Sequence, residues 1–187
     1  MPQDTRAILI ETAVKQIRRT GYSAFSYADL AASVGIRKAS IHHHFPAKED
    51  LGVAIVAAYS EDLSDALHRI ESQFPSPLDR IAAFIDIYRG ALRSGLGCLC
   101  GVMAAELQSL PDALQASVRQ YFKMNLRWLE KTLSDRGGGL RADVDPDVQA
   151  RTVLATMQGA LSVARATKDR KLFEQAAAGL LAGLTAV

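Results

Sequence analysis

The chain has little of several things, and each scarcity excludes a class of protein. Two cysteines among 187 residues are too few for a disulfide framework, which suits a reducing compartment. No apolar stretch approaches the ~18–20 residues that a membrane span needs. Met1-Pro2-Gln3-Asp4-Thr5-Arg6 lacks the basic-then-apolar pattern of an export signal. A cytoplasmic protein with no membrane partner is expected. Catalytic motifs are missing as well: there is no Gly-x-Ser-x-Gly elbow, no phosphate loop closing on Gly-Lys-Ser/Thr and no metal-ligand motif on a helix. No enzyme activity and no cofactor are expected. Glu106, which could pair with Asp112 or Asp86, reads first as a surface or capping acid. Strand-like alternation of apolar and polar residues is absent too.

Charge of one sign is equally scarce, since 22 bases against 20 acids leave a net charge of +2. Its placement is more informative. Residues 1–51 hold seven bases (Arg6, Lys15, Arg18, Arg19, Arg37, Lys38, Lys48) against five acids (Asp4, Glu11, Asp29, Glu49, Asp50), and the remainder of the chain balances. Three of the four histidines, His42, His43 and His44, lie in the same stretch. This mild basic bias suggests an anionic partner.

What the chain does have is a helical period nearly everywhere. Ile8, Ala13 and Ile17 mark a first helix that Gly21 stops. Ser26 is an N-cap with Asp29 three residues on, opening a short helix to Val34 that ends at Gly35. Lys38–His44 is a second short helix, ended before Pro46. Leu51, Ile55, Tyr59, Leu63, Leu67, Ile70 and Phe74 then mark one long amphipathic helix, broken by Pro75 and Pro77. Further helices follow from Leu78 to Leu92, from about Cys98 to Gln108, and from Pro111 to Leu133. Arg136-Gly137-Gly138-Gly139 reads as a flexible loop, and Asp145-Pro146 as a helix start. The last two helices run through Leu154–Ala164 and Phe173–Leu184, either side of the charged turn Lys168-Asp169-Arg170-Lys171. The expected architecture is all-α, with about nine helices. It divides into an N-terminal three-helix domain over residues 1–47 and a helical domain over residues 48–187.

The stretch from Phe25 to Phe45 carries the function. Two short helices joined at Gly35 form a helix-turn-helix, with Leu30, Ala31, Val34, Ile36, Ile41 and Phe45 as its apolar side. Arg37, Lys38, Ser40, His42 and His43 remain on the outer side, as donors suited to phosphates and base edges. Consecutive helical residues point about 100° apart, so the three histidines cannot converge on one metal ion, and no metal site is expected.

Thr5-Arg6, Ala13, Gly21-Tyr22, Ser26, Asp29-Leu30-Ala31, Val34-Gly35-Ile36, Lys38, Ser40-Ile41, His44-Phe45 and Lys48-Glu49-Asp50-Leu51 resemble the N-terminal signature of the TetR family of bacterial transcriptional regulators. The resemblance covers residues 5–51; beyond them only length, helical pattern and helix order are similar. It implies a homodimer that binds a palindromic operator in double-stranded DNA, usually as a repressor, and lets go when a small-molecule effector enters the C-terminal domain. Ser26, with the amides of its helix, would meet a phosphate. Tyr27 would reach the backbone, and Arg37, Lys38, Ala39 and Ser40 would begin the recognition helix. His42 stands where the family usually has tyrosine, His43 is the next phosphate candidate, and His44 and Phe45 face the interior. Lys48 would meet a phosphate at the start of the long helix.

In the C-terminal region the resemblance implies an effector pocket among Phe84, Tyr88, Met103, Tyr121, Met124, Trp128 and Met157, for an apolar or weakly polar ligand. Cys98 and Cys100 admit two readings, buried packing or an electrophile-sensing thiol beside the pocket. The small residues of the last two helices, Ala155, Gly159, Ser162, Ala166 and Ala177, with Leu180, Leu181 and Leu184, are implied as the dimer interface. A helical protein whose basic head meets an acidic partner without reading DNA sequence is the competing possibility.

Overall fold

The structure, a computed structural model, describes residues 4–135 and 138–185. Met1–Gln3 of the expected N-terminus and Arg136 and Gly137 of the expected loop lie outside those residues. Among the described residues there are nine α-helices, as the periodicity predicts: α1 Thr5–Thr20, α2 Tyr27–Val34, α3 Lys38–His44, α4 Lys48–Gln73, α5 Pro77–Arg93, α6 Leu99–Ala105, α7 Asp112–Ser134, α8 Pro146–Thr167 and α9 Arg170–Leu184. A single 3₁₀ turn, Leu107–Ser109, stands between α6 and α7.

Local chemistry sets most of the ends. Asp4 caps α1 by accepting from the Arg6 amide at 3.0 Å, and Ser26 Oγ caps α2 by accepting from the Asp29 amide at 3.2 Å. Asp145 accepts from the amides of Asp147 and Val148 before Pro146 opens α8. Lys168 ends α8 in the left-handed region at φ 55°, and Asp169 caps α9 one residue later. The inner stripe of α1 is Leu9, Ala13 and Ile17, each wholly buried. Leu9 thus takes the place expected for Ile8, because steps of four residues from Ile17 lead back through Ala13 to Leu9.

The chain forms two compact units, and they do not follow the division expected after residue 47. The first takes in the chain to Asp62 together with Leu99–Tyr121; the second takes in Leu63–Cys98 and Phe122 onward. In the first, α1 packs on α2 and α6, and α2 packs on α3. Leu9, Leu30, Ile41, Phe45, Leu51, Ile55, Leu99, Met103 and Leu114 supply its buried side chains. In the second, α8 packs on α9, and both pack on α5. Ile81, Phe84, Ile85, Leu129, Val153, Met157, Leu161 and Phe173 supply that core.

Polar ties support the second unit. The Arg89 guanidinium grips both carboxylate oxygens of Glu174, at 2.8 Å each, and so joins α5 to α9. It also reaches Asp86 one turn away. That fork holds the Glu174 carboxyl below the usual carboxylate range. Arg80 donates to the Phe74 carbonyl at 2.7 Å and to Asp135 at 3.2 Å.

Candidate nucleic-acid interface

The α2–α3 pair owes its angle to a glycine turn and four buried side chains. At Gly35 the backbone turns left-handed, φ 77° and ψ 30°, and the amides of Gly35 and Ile36 both donate to the Ala31 carbonyl, at 2.9 and 3.1 Å. Leu30, Ala31, Ile41 and Phe45 are buried on the inner side. Outward, Arg37, Lys38, Ala39, Ser40, His42 and His43 are all exposed. Most of them, with Thr5, Ile36 and His44, line a concave surface of about 590 Å³. Five of these six positions, at the cap and along a firmly seated short helix, therefore offer hydroxyl, imidazole, ammonium and guanidinium groups to solvent.

Three expected contacts are placed differently. Tyr27 is buried at 5% exposure, and its hydroxyl lies 2.6 Å from the Ala47 carbonyl and 3.0 Å from that of Phe45. It is a strut between α2 and the end of α3, not a side chain presented to DNA. Lys48 is half-buried, with Nζ 4.4 Å from the centre of the Tyr22 ring and 5.7 Å from that of Phe25. Burial lowers the pKa of its ammonium against the opposing pull of Glu106. At the same helix start, Asp50 accepts from the Ala47 amide at 2.9 Å. The hydroxyl of Ser26 is engaged as well, donating to Asp29 Oδ2 at 2.6 Å while it caps α2.

His42 has a defined orientation. Its Nδ1 lies 3.1 Å from the Pro46 carbonyl oxygen, which can only accept, so Nδ1 carries the proton. Its ring meets the edge of Tyr27 at 5.0 Å. Nε2, on the far side of the ring from that contact, is the nitrogen left for a base edge or a phosphate.

Glu106 is the residue that sequence reasoning undervalued. From the end of α6 it accepts from the Ser23 amide at 2.8 Å and from the Ser23 hydroxyl at 2.6 Å. Gly21, at φ 93°, makes room for it, since a Cβ there would stand 2.1 Å from Glu106 Oε1. Glu106 thus clasps a loop 83 residues away in sequence, and does not cap a helix with its side chain. Close to this clasp, Tyr22 donates to the Lys48 carbonyl at 3.1 Å, and burial pushes its own hydroxyl up to about 12.

The residues expected around an effector fall in both units. Cys100, Met103 and Tyr121 are buried in the first, where Tyr121 stacks on Tyr59 at 5.7 Å. Phe84, Tyr88, Cys98, Trp128 and Met157 are buried in the second, with Met124 half-buried. There Phe84 stacks on Trp128 at 5.7 Å and meets Tyr88 at 5.4 Å. Gln158 donates to the Tyr88 hydroxyl at 3.1 Å and lies 3.4 Å from Cys98 Sγ. Both cysteines are buried thiols.

Of the residues expected at a dimer interface, Ala155, Gly159, Ser162 and Ala166 are exposed, and Leu180 and Leu181 are half-buried. Ala177 and Leu184 are corrections: each is 1% exposed, buried inside its own chain. Val148 and Val163, 52% and 46% exposed, extend the exposed face of α8 and were not anticipated.

A tight turn at Gly35, flanked by buried Leu30, Ala31, Ile41 and Phe45, that holds a polar helix out to solvent defines a helix-turn-helix DNA-binding regulator. The family of bacterial regulatory proteins known as tetR matches residues 9–55, and the tetracyclin repressor-like C-terminal domain matches residues 77–180. The chain belongs to the TetR family, as a ligand-responsive DNA-binding transcriptional repressor. It is 25% identical over 173 residues to the HTH-type transcriptional repressor DhaR of Mycobacterium sp. (strain GP1), covering 91% of this chain and 87% of that one. It is likewise 25% identical over 187 residues to the HTH-type transcriptional repressor NemR of Escherichia coli (strain K12), covering 94% and 91%. A solved TetR-family transcriptional regulator from Agrobacterium tumefaciens superposes with a TM-score of 0.93 at 34% identity over all of both chains. No helix among the described residues is long and apolar enough to cross a membrane.

Proposed function

We propose that the protein works in the cytoplasm as a homodimer that represses transcription from a palindromic operator and leaves it when a small effector binds, with no catalytic activity of its own. Residues 1–47 are assigned to DNA contact and residues 48–187 to effector binding and dimerisation. The observation that carries this reading is the exposed outer face of α3. Arg37, Lys38, Ser40, His42 and His43 enter the major groove, and the Ala39 methyl allows close approach. The amides opening α2 beside Ser26 meet a phosphate. Tyr27 supports α3 from within, and Lys48 packs on aromatic rings, so neither contributes a primary contact.

The exposed stripe Val148, Ala155, Gly159, Ser162, Val163 and Ala166 on α8 supports dimerisation, because apolar and small residues at helical spacing seek a partner surface. A Cβ added at Gly159, Gly179 or Gly183 would meet nothing within 4 Å, which leaves room for a second chain's helices. The effector binds within the second unit, near Phe84, Tyr88, Cys98 and Trp128, and the chain passes directly from Cys98 into α6. An electrophilic effector such as a quinone would be attacked by the Cys98 sulfur, forming a C–S bond while the thiol proton passes to the adduct. In that case Cys98→Ser abolishes the loss of DNA binding caused by a quinone, and an unchanged response excludes it.

The test of the whole reading is selection of genomic DNA fragments on the purified protein at near-physiological salt. A palindromic motif with half-sites about one helical turn apart is expected. Retention without sequence preference at fixed salt would instead support a basic head that meets an acidic partner.

A further inference from the structure

We propose that the effector site is built for a neutral carbonyl compound with a flat apolar body, held by the Trp128 indole N–H and the Thr132 hydroxyl. The inference rests on the ligand-responsive reading above and names the chemistry of that site.

Trp128 and Thr132 are one turn apart on α7, 9% and 2% exposed, and their Nε1 and Oγ1 atoms are buried with no hydrogen-bond partner among the described residues. A buried polar atom without a partner is costly, so such atoms mark strain, the place of an ordered water or the place of a ligand. Thr132 is unusual among its kind here. Serine and threonine hydroxyls on helices ordinarily satisfy themselves on the carbonyl four residues back. Ser117, Ser134, Thr152 and Thr167 all do so, at 2.8–2.9 Å, and Ser134 lies on the same helix. The Thr132 hydroxyl makes no such bond and is left for another partner.

The chemistry of the two groups selects the ligand. An indole N–H only donates, so the ligand must present an acceptor; a hydroxyl can donate to the same oxygen. The acceptor is neutral, because the buried polar residues among those described are Asn125 and Thr132, neither of them cationic, and a carboxylate buried there would find no counter-charge. A ketone, ester or lactone oxygen fits. The body is flat and apolar, because the Trp128 ring already stacks with Phe84 at 23° between planes and Phe84 leads on to Tyr88. Met124, one turn before Trp128, supplies a flexible side chain that can yield space. Tyr88 is not the anchor, since its hydroxyl is engaged by Gln158.

The chain has one tryptophan, so an amide-type proton–nitrogen spectrum of the full-length protein shows a single indole resonance for Trp128. Acetophenone and 2-acetylnaphthalene are titrated against ethylbenzene and 2-ethylnaphthalene, which have the same shape without the acceptor, and against benzoate. The ketones should move the indole proton downfield and saturably, and should bind about tenfold tighter than the hydrocarbons, the value of roughly one hydrogen bond. Thr132→Val, which keeps the shape and removes an unpartnered hydroxyl, should fold normally and weaken ketone binding by about the same factor. An indole resonance that no ketone moves overturns the proposal, as does equal movement by the hydrocarbons or unchanged ketone affinity in Thr132→Val. Release of the selected operator fragment, measured in parallel, separates the two ideas. Ketone binding at Trp128 with DNA still held upholds the anchor and refutes the effector reading. DNA release by benzoate with no indole shift does the reverse.

Discussion

Gly21 and Glu106 show how much one short side chain can depend on a distant one. Gly21 holds φ 93°, where residues with a Cβ are strained, and it stands aside for the carboxylate that clasps Ser23. Gly21→Ala should therefore destabilise the fold beyond the ~1–3 kcal/mol of a backbone region open essentially to glycine alone. Combined with Glu106→Ala, which removes the clashing oxygen, its cost should fall back to about that range; equal costs in the two backgrounds, read from urea midpoints, would deny the close approach. Tyr22 and Tyr27 make a second expectation. Burial raises both hydroxyls to about 12, aided by the charges of Glu49 and Asp50 respectively. The folded state thus keeps these protons above pH 10, where the unfolded chain loses them. Stability should be full below pH 10 and decline from there toward pH 12. Urea midpoints at pH 9 and pH 11.5 should show a smaller loss for Tyr22→Phe than for the parent.

Whole helices divide into those whose facing is plain from their period and those whose facing depends on their neighbours. In α3 the inward Ile41 and the outward Arg37, Lys38, Ser40 and His43 follow from the turn at Gly35, all within a few residues. In α9 the small residues surround the helix on all sides, so periodicity alone could not say which would be buried within the chain. The packing of α9 on α8 and α5 decides it, turning Ala177 and Leu184 inward and leaving Ala178, Gly179, Ala182 and Gly183 outside. A pair of substitutions separates these faces. Ser162→Arg, at an exposed position of α8, should leave helical content nearly unchanged. If the proposed dimer forms through this face, the substitution should nonetheless give a monomer in sedimentation equilibrium and weaken operator binding. Ala177→Arg buries a charge in the chain's own core and should cost on the order of 4 kcal/mol.

For the molecule as a whole, function follows from where charge and symmetry lie. The net excess of base sits in residues 1–51, and α3 presents Arg37 and Lys38 to solvent. A homodimer uses each contact twice. If Lys38 meets a phosphate, Lys38→Ala should reduce the slope of log affinity against log salt by roughly 1.8, about 0.9 per phosphate contact, with little change in sequence preference. Arg37→Ala, if that side chain reads a guanine edge, should cost about 1–3 kcal/mol per half-site and relax specificity there. Filter-binding isotherms over a salt series on operator and mutant operator distinguish the two roles.

The sequence by itself determined the helices, their caps and the helix-turn-helix, because each depends on residues within about four positions of one another. Ser26 and Asp29 declare the start of α2, Gly35 its end, and Asp145-Pro146 the start of α8, wherever the rest of the chain goes. Only the tertiary structure decided that Tyr27 turns its hydroxyl onto the Phe45 and Ala47 carbonyls, that Lys48 lies over aromatic rings, that α6 brings Glu106 to the loop after α1, and that Trp128 and Thr132 keep unpartnered polar atoms inside. Those facts depend on which surfaces meet across long stretches of chain, and a helical period, which records only that one side is apolar, does not specify the surface it will meet.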